Sequence, residues 1–201
     1  MTSKKKHLLV LPGMNQSQEV FSSILDHSVF FNYYLGHSLR PLGGIFSELE
    51  KLLSDNDELK YIVAHSFGAL VFSEYFKTKG QISVGFQKII FIGPAFYPRF
   101  TSSFIRFLPA RLRVPSFNRR RFRVKSFCEV HEYQVVFELQ NNFNADILKN
   151  LNTDYEIIYD PRDELINTSK LELMKYSREV LSKNFPRHLY FDYIEKLKSD
   201  L

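Results

Sequence analysis

The sequence predicts an α/β fold built on a mostly parallel, open sheet of about six strands with helices on both faces. Short apolar runs of strand length alternate with amphipathic helical stretches over most of the 201 residues, a pattern typical of parallel sheets with right-handed crossovers. One strand–helix junction carries the pentapeptide Ala-His-Ser-Phe-Gly at residues 64–68. The alternation stops between about residues 97 and 150, where helical patterns predominate.

Length and composition indicate a globular protein. The chain is long enough for one domain with a full core, and 44% of its residues are hydrophobic. No apolar run is long enough to span a bilayer, and the run Leu8–Leu11 that follows the N-terminal lysines is too short for a secretion signal. The single cysteine, Cys128, excludes an internal disulfide framework and fits a reducing compartment. We therefore expect a cytoplasmic protein.

The first half of the chain predicts three strands and three helices. Lys6–Leu11 is a continuous apolar strand, and Val29–Leu35 is a second strand because aromatic residues suit a pleated surface. A helix is predicted at Ile45–Leu53, where apolar residues recur on one face. The remaining elements are a short helix at Ser17–Leu25, a buried strand at Tyr61–Ala64 and a helix that begins beyond Ser66.

The second half predicts three more strands and their helices. Lys88–Ala95 is a buried strand that ends in the breakers Gly93 and Pro94, and Tyr155–Tyr159 is the next one. Between them, amphipathic patterns predict helices near residues 104–112 and at Val124–Asn142. The last elements are a helix at Ser169–Tyr176, an edge strand near Glu179–Leu181 and a terminal helix after His188.

The pentapeptide around Ser66 is the most specific motif in the sequence. A serine between a strand and a helix is held in a strained conformation that exposes its hydroxyl at the edge of the sheet. Small residues are needed two positions before and after it, here Ala64 and Gly68, because the strand and the helix nearly touch. The start of the helix offers a developing anion a free N–H, that of Phe67, and a partial positive charge. Taken alone, the pentapeptide also fits an ordinary strand–helix junction.

This motif, in its strand–helix setting, resembles the nucleophile elbow of the α/β-hydrolase superfamily. The resemblance is to the small serine esterases and thioesterases and extends over most of the chain. It implies one domain of residues 1–201, in which the helical stretch at about 97–150 is a small cap or lid inserted over the active site.

The resemblance also implies an oxyanion hole built from main-chain N–H groups. In this superfamily the strand before the oxyanion loop ends in His-Gly, whereas this chain has Pro12-Gly13. The matching donor is then the N–H of Met14, paired with that of Phe67. The departure is mild because the donor is main chain, and a plain Pro-Gly turn is the alternative interpretation.

A serine nucleophile needs a base within hydrogen-bond reach and an acid that orients the base. In this fold the order along the chain is Ser, acid, His. Of the six histidines, His188 alone follows the last strand–loop acid and precedes a final helix, although Arg187 stands where the superfamily usually has glycine. Asp163 matches the acid best because an apolar pair follows it closely. Asp160, at the end of the strand, is the alternative acid, and a surface turn is the alternative interpretation of Asp163.

Together these residues predict a serine hydrolase that cleaves a carboxylic ester or thioester through an acyl-enzyme intermediate. Ser66 is the expected nucleophile, His188 the base and Asp163 the acid, and the mechanism requires no metal or cofactor. The expected substrate is a small molecule with an acyl chain, and amide cleavage stays open.

Charge is distributed unevenly along the chain. The net charge is +5, and the stretch from Arg99 to Lys125 contains nine Lys/Arg residues and no Asp or Glu. Its aromatic and aliphatic residues suit an acyl chain, and its arginines suit a negative headgroup or carrier. An acidic carrier protein, such as the acyl carrier protein that some members of this superfamily serve, or an anionic lipid is therefore a candidate partner. A solvated basic surface is the alternative.

Other functional classes compete with the enzyme. A catalytically silent α/β-hydrolase fold used for binding is the main alternative, since fold does not determine function. A nucleic-acid patch around Arg119–Arg121 ranks last because the stretch lacks the organisation of such modules. Cys128 lacks an elbow context and fits a small buried hydrophobe, and no cluster has the spacing of metal ligands.

Overall fold

A computed structural model describes residues 6–80, 85–99, 130–183 and 186–197. Six strands form one sheet, and two further strands form a small hairpin. The strands, in chain order, are β1 Leu8–Leu11, β2 Ser28–Phe30, β3 Tyr34–Leu35, β4 Ser38–Leu39, β5 Tyr61–His65, β6 Lys88–Ile92, β7 Asp154–Tyr159 and β8 Ser177–Glu179. The main sheet has the order β2-β1-β5-β6-β7-β8, and all its neighbouring strands are parallel. The predicted parallel sheet of about six strands is confirmed.

Six α-helices lie in the described ranges. They are α1 Leu42–Ser54, α2 Phe67–Lys79, α3 Val130–Asn142, α4 Asp146–Lys149, α5 Thr168–Glu172 and α6 Phe191–Lys196. Short 3₁₀ turns occur at Gln18–Phe21, Leu25–His27 and Arg187–Leu189. No helix within these ranges is both long and apolar enough to cross a membrane.

The two faces of the sheet bury two separate apolar clusters. Successive side chains of a strand point to opposite faces, and in β1 the residues Leu9 and Leu11 join the cluster under α1 and α2, whereas Leu8 and Val10 join the one under α6. Strand β5 follows the same rule, with Val63 on the α6 side. Helices therefore cover both faces, which explains why the central strands are continuous apolar runs.

Two elements near the N-terminus differ from the prediction. The strand expected at Val29–Leu35 is divided, because Phe31 N–H still bonds to Val10 O of β1 (2.9 Å) but the Asn32 side chain then accepts Tyr34 N–H (3.1 Å) and turns the chain. Tyr34 then pairs with Leu39 in the β3–β4 hairpin. The helix expected at Ser17–Leu25 is replaced by two 3₁₀ turns.

The predicted cap falls mainly outside the described residues. The helix expected near 104–112, the triple arginine Arg119–Arg121, Cys128 and nearly all of the basic stretch lie there. Helix α3 packs against α2, and its Leu139 is buried in the main cluster. The cap at about 97–150 and its inclusion in one domain with the rest of the chain stay predictions.

The carboxyl ends of β1, β5, β6 and β7 meet at one edge of the sheet, because these strands are parallel and adjacent. Leu11 is in register with Ala64, and His65 is in register with Ile92. In open α/β sheets the crevice beyond these ends is where ligands bind. Four of the five predicted site residues, all but His188, follow closely on one of these strands or lie in the loop after it.

Candidate active site

Ser66 lies between β5 and α2 in a strained backbone conformation. Its φ is 49° and its ψ is −108°, a region that non-glycine residues rarely adopt. The surrounding main chain holds it there: Ser66 N–H donates to Ile92 O (3.0 Å), and Ser66 O accepts the N–H groups of Ala69 (3.2 Å) and Ala95 (3.3 Å). Strain that is held by several neighbours is common at functional sites.

Gly68 explains why the turn after Ser66 needs a residue without a side chain. A Cβ at this position would lie 2.1 Å from Leu11 O and 2.9 Å from Pro12 O. The first turn of α2 therefore rests directly on the main chain at the end of β1. This close approach brings the loop that carries Met14 to the same sheet edge as Ser66.

The side chain of His188 lies between Ser66 and Asp163. The Ser66 hydroxyl is 2.7 Å from His188 Nε2, and His188 Nδ1 is 2.8 Å from Asp163 Oδ2. A carboxylate accepts, so Nδ1 carries the proton and Nε2 is left to accept the hydrogen bond from the serine. The structure thus brings Ser66, His188 and Asp163 together from three distant parts of the chain.

Asp163 is fully buried and receives four hydrogen bonds. Its Oδ1 accepts the N–H groups of Leu165 (2.8 Å) and Ile166 (3.2 Å), while Oδ2 accepts His188 Nδ1–H and the Tyr190 hydroxyl (2.9 Å). Burial, the largest single influence, raises the pKa of Asp163, but the charge of His188 and these hydrogen bonds together lower it below its ordinary value. The side chain is therefore held as a carboxylate.

Asp160, the alternative acid, has a different set of partners. Its carboxylate accepts hydrogen bonds from Arg162 Nε (3.0 Å) and Nη2 (2.9 Å), from Arg162 N–H (2.8 Å) and from Ser182 N–H (2.6 Å). It ties the end of β7 to the segment after β8. Of the two aspartates, Asp163 alone contacts the imidazole of His188.

The two N–H groups predicted for an oxyanion hole are available. Phe67 is the first residue of α2, and Met14 lies in the turn after β1. Its neighbours in that turn are tied down, since Gly13 N–H donates to Gln16 Oε1 (2.5 Å) and Asn15 N–H donates to the Tyr34 hydroxyl (3.0 Å). Neither Met14 N–H nor Phe67 N–H has an acceptor within the part of the chain that the structure describes.

Arg187 is accommodated by an ion pair next to the candidate base. Its guanidinium is 3.0 Å from Glu164 Oε1, and Glu164 Oε2 accepts Arg187 N–H (2.9 Å) and His188 N–H (3.3 Å). Glu164 follows Asp163 directly, so one short segment supplies both the carboxylate that contacts the imidazole and the one that holds its main chain.

Sequence reasoning missed Tyr190 and the surroundings of His65. Tyr190 fits the apolar face of the terminal helix, but its hydroxyl donates to Asp163 and accepts Asp160 N–H (2.8 Å). The glycine between β6 and Pro94 was the one sequence signal for this contact. Gly93 has φ 47°, and a Cβ there would lie 2.3 Å from the Tyr190 ring, so the ring packs where only glycine leaves room. The ring of His65, the residue before Ser66, reaches the main-chain carbonyl of His188 (2.9 Å).

Within the described residues, no group of three or more His, Cys, Asp or Glu side chains could hold a metal ion. His37, in the turn of the β3–β4 hairpin, is exposed.

Comparisons with known proteins bear on the fold. No protein-family model matches the chain, and no curated protein matches it. Solved structures do: a soluble variant of monoglyceride lipase from Saccharomyces cerevisiae has a TM-score of 0.68 at 12% identity, with 100% of this chain and 88% of that chain covered. A bromoperoxidase from Bacillus anthracis also has a TM-score of 0.68, at 17% identity and 98% and 91% coverage.

A third structure names the architecture in its own description. It is an α/β-hydrolase-fold protein from Burkholderia ambifaria, with a TM-score of 0.59 at 12% identity, and 99% of this chain and 92% of that chain are covered. At these identities the likeness concerns the fold, and the strand order and the strained serine agree with it. The chain is therefore an α/β-hydrolase-fold protein.

Proposed function

We propose that the protein is a serine hydrolase that cleaves a carboxylic ester or thioester through an acyl-enzyme intermediate. One observation carries the proposal: an unbroken hydrogen-bond chain runs from the Ser66 hydroxyl through the His188 imidazole to the Asp163 carboxylate, at 2.7 and 2.8 Å. A serine activated by an oriented base is the arrangement that acyl transfer requires.

In the first half of the reaction, Ser66 Oγ attacks the acyl carbonyl while His188 Nε2 takes its proton. The carbonyl oxygen becomes an anion, and the N–H groups of Met14 and Phe67 are the proposed donors to it. Asp163 stabilises the imidazolium that forms and keeps its Nδ1 proton in place. The tetrahedral intermediate then collapses, and the leaving alcohol or thiol takes the proton from His188 Nε2.

In the second half, water attacks the acyl-enzyme. His188 Nε2 removes a proton from the water as its oxygen bonds to the acyl carbon. Collapse of the second intermediate breaks the bond to Ser66 Oγ, which regains its proton from His188. The products are a carboxylic acid and the free enzyme, so no group supplied from outside the chain is consumed except water.

An ester with an acyl chain is the substrate class we favour. The fold alone does not select it, since the similar structures include a lipase and a bromoperoxidase. The lipase was solved with a substrate analogue and supports an acyl ester. Two finer proposals rest on the basic stretch of the sequence. The first is that the substrate is a thioester, and the second is that the partner is an acidic carrier protein or an anionic lipid.

A fluorophosphonate probe and a panel of p-nitrophenyl esters test the proposal. We expect the probe to label the wild-type protein at Ser66 and the esters to be hydrolysed with a preference for one chain length. Ser66→Ala should abolish labelling and reduce kcat by on the order of 10⁶. A wild-type protein that is folded, yet neither labels nor hydrolyses any ester or thioester, would instead be a silent binding protein.

The carrier is tested by presenting one acyl group in three forms: as a p-nitrophenyl ester, as a coenzyme A thioester and as a thioester on acyl carrier protein. A lower KM for the carrier form, lost at high salt, supports docking on the basic stretch. Equal KM values for all three forms contradict it.

A further inference from the structure

The side chain of His65 occupies the space between two loops of the proposed site. His65 is the last residue of β5 and shares a sheet face with Val63, the face that carries α6. Its ring is 1% exposed. Nε2 lies 2.9 Å from the main-chain carbonyl of His188, and Nδ1 lies 2.8 Å from Gln16 Oε1. One imidazole therefore contacts both the loop of the candidate base and the loop of the candidate oxyanion hole.

The loop of residues 12–16 is packed closely on this ring. Gln16 Oε1 also accepts Gly13 N–H at 2.5 Å. A Cβ on Gly13 would lie 2.7 Å from His65 Nδ1 and 2.7 Å from Gln16 Oε1. The main chain next to Met14 therefore has little freedom to move relative to His65.

The contact with His188 determines which ring nitrogen carries the proton. Both contacts of the ring, His188 O and Gln16 Oε1, are acceptors, and a neutral imidazole has one N–H to donate. The main-chain carbonyl can only accept, whereas the Gln16 amide can rotate to present its NH₂, whose nitrogen has no hydrogen-bond partner among the described residues, so we assign the proton to Nε2. Burial, the largest cause, and the neighbouring His188 lower the pKa of His65 to about 3, so the ring is neutral. Nδ1 is then an acceptor that faces another acceptor, Gln16 Oε1, unless the amide turns its NH₂ towards the ring, which would take Oε1 away from Gly13 N–H. The donation to His188 is the better satisfied of the two contacts of the ring.

His188 is thus held by side chains at both of its main-chain polar groups. Glu164 accepts its N–H (3.3 Å), and His65 donates to its carbonyl. These contacts are made by groups that are 24 and 123 residues away in sequence. The 3₁₀ turn that carries His188 is only three residues long, so such contacts are what fix its position against Ser66.

We propose that His65 is a positioning residue: its Nε2–H sets the position of the His188 main chain, and hence the distance from the His188 imidazole to the Ser66 hydroxyl. The proposal rests on the proposed function for its kinetic consequence. A misplacement of about 1 Å in such a site costs about 10²-fold in rate. His65 touches none of the reacting atoms, so its removal should lower kcat and leave KM nearly unchanged.

Two amide substitutions separate the two edges of the ring. The side-chain nitrogen of glutamine can reach the place of histidine Nε2, whereas that of asparagine reaches only the place of Nδ1. We expect His65→Gln to keep the donor to His188 and retain kcat within about fivefold of the wild type, and His65→Asn to lose about 10- to 100-fold in kcat, with KM within about threefold for both. Urea unfolding of both variants gives the folded fraction to which kcat is referred.

A second readout does not depend on turnover. The low-field proton resonance of the His188 Nδ1–H···Asp163 hydrogen bond should persist in His65→Gln and shift or broaden in His65→Asn. Equal kcat per folded molecule and equal resonances in both variants would overturn the proposal and leave His65 a structural residue. If the wild type hydrolyses no ester but the resonance still changes in His65→Asn alone, the positioning role stands and the proposed function fails.

Discussion

The two halves of the candidate site are built in different ways. The serine half is local: Ser66 is strained between β5 and α2, and Gly68 fits because its Cα rests on the main chain of β1. The histidine half is assembled from distant side chains. His188 is oriented by Asp163, and its main chain is held by Glu164 and His65.

The position of Ser66 is therefore controlled mainly by steric contacts, whereas the position of His188 is controlled by polar contacts. The position of Ser66 depends on the absence of a side chain at Gly68 and on hydrogen bonds to neighbouring main chain, and within the described residues no side chain caps the start of α2. The position of His188 depends on buried hydrogen bonds, whose net contribution is about 1 kcal/mol each but whose loss leaves an unpaired buried group. Substitutions in the serine half should therefore act through steric clashes with the main chain, and substitutions in the histidine half should act by misaligning the His188 imidazole.

Within the histidine half, the largest effect should come from Asp163→Asn. An amide in place of the carboxylate can present N–H to His188, which favours the wrong imidazole tautomer, and kcat should fall by on the order of 10⁴. Steady-state hydrolysis of the best p-nitrophenyl ester measures the loss.

Asp160→Asn is the matched control. It removes an equally buried carboxylate whose partners are Arg162 and Ser182. We expect the free energy of unfolding to fall by about 1–3 kcal/mol, while kcat of the folded fraction keeps its order of magnitude. If Asp160→Asn abolishes turnover and Asp163→Asn does not, the acid has been assigned to the wrong aspartate.

Gly68→Ala tests the serine half. The added methyl group would lie 2.1 Å from Leu11 O, a main-chain atom at the carboxyl end of β1. We expect a loss of about 3 kcal/mol in the free energy of unfolding, at the upper end of what overpacking costs, and a lower kcat in the protein that folds.

Gly43→Ala provides the comparison, because a Cβ there meets no atom within 4 Å and the residue lies in α1. It should stabilise the protein by about 0.5–1 kcal/mol. Urea unfolding compares both variants with the wild type. If the two substitutions had equal effects, steric control of the elbow would be wrong.

The same contrast explains how much of the molecule could be predicted. Strands β1, β5 and β6 are buried on both faces over most of their length, so they are nearly continuous apolar runs in the sequence, whereas β7 is apolar and buried only over its last three residues, Ile157–Tyr159. The division after β2 could not be predicted, since it depends on whether the Asn32 side chain turns back onto Tyr34 N–H.

Within the candidate site, Ser66 follows from a spacing rule that acts over five residues. Asp163 and His188 were predicted by their order along the chain, and the structure brings both to Ser66. Tyr190 and His65 carry no such signal. In the sequence each stands among apolar neighbours, as a core residue would, and their polar partners are 27 and 123 residues away.

Tyr190→Phe should have an intermediate effect on the histidine half. The substitution keeps the ring against Gly93 but removes the donor to Asp163 and leaves Asp160 N–H without its acceptor. One unpaired buried group costs about 1–3 kcal/mol of stability, and kcat should fall by about tenfold because Asp163 loses one of its four hydrogen bonds. A variant with the stability and kcat of the wild type would show that this hydroxyl does not orient the carboxylate.

The free energy of unfolding should also depend on pH, through His65 at the boundary between the two halves. The pKa of His65 is about 3 in the folded protein and about 6.5 in an unfolded chain. Below pH 6.5 the unfolded state therefore binds a proton that the folded state does not, so the free energy of unfolding falls as the pH falls, by about 1 kcal/mol per unit near pH 5–6.

The stabilising contribution of the Asp163 carboxylate is also lost on acidification, but the loss begins only as the unfolded carboxyl group starts to bind a proton, below about pH 5. Urea unfolding between about pH 6.5 and 5 consequently isolates His65 from this carboxyl group. The difference in slope between the wild type and His65→Gln measures the His65 contribution. Identical slopes for the two proteins would mean that His65 takes up its proton equally in both states, and the neutral ring that donates to His188 would then be the wrong description.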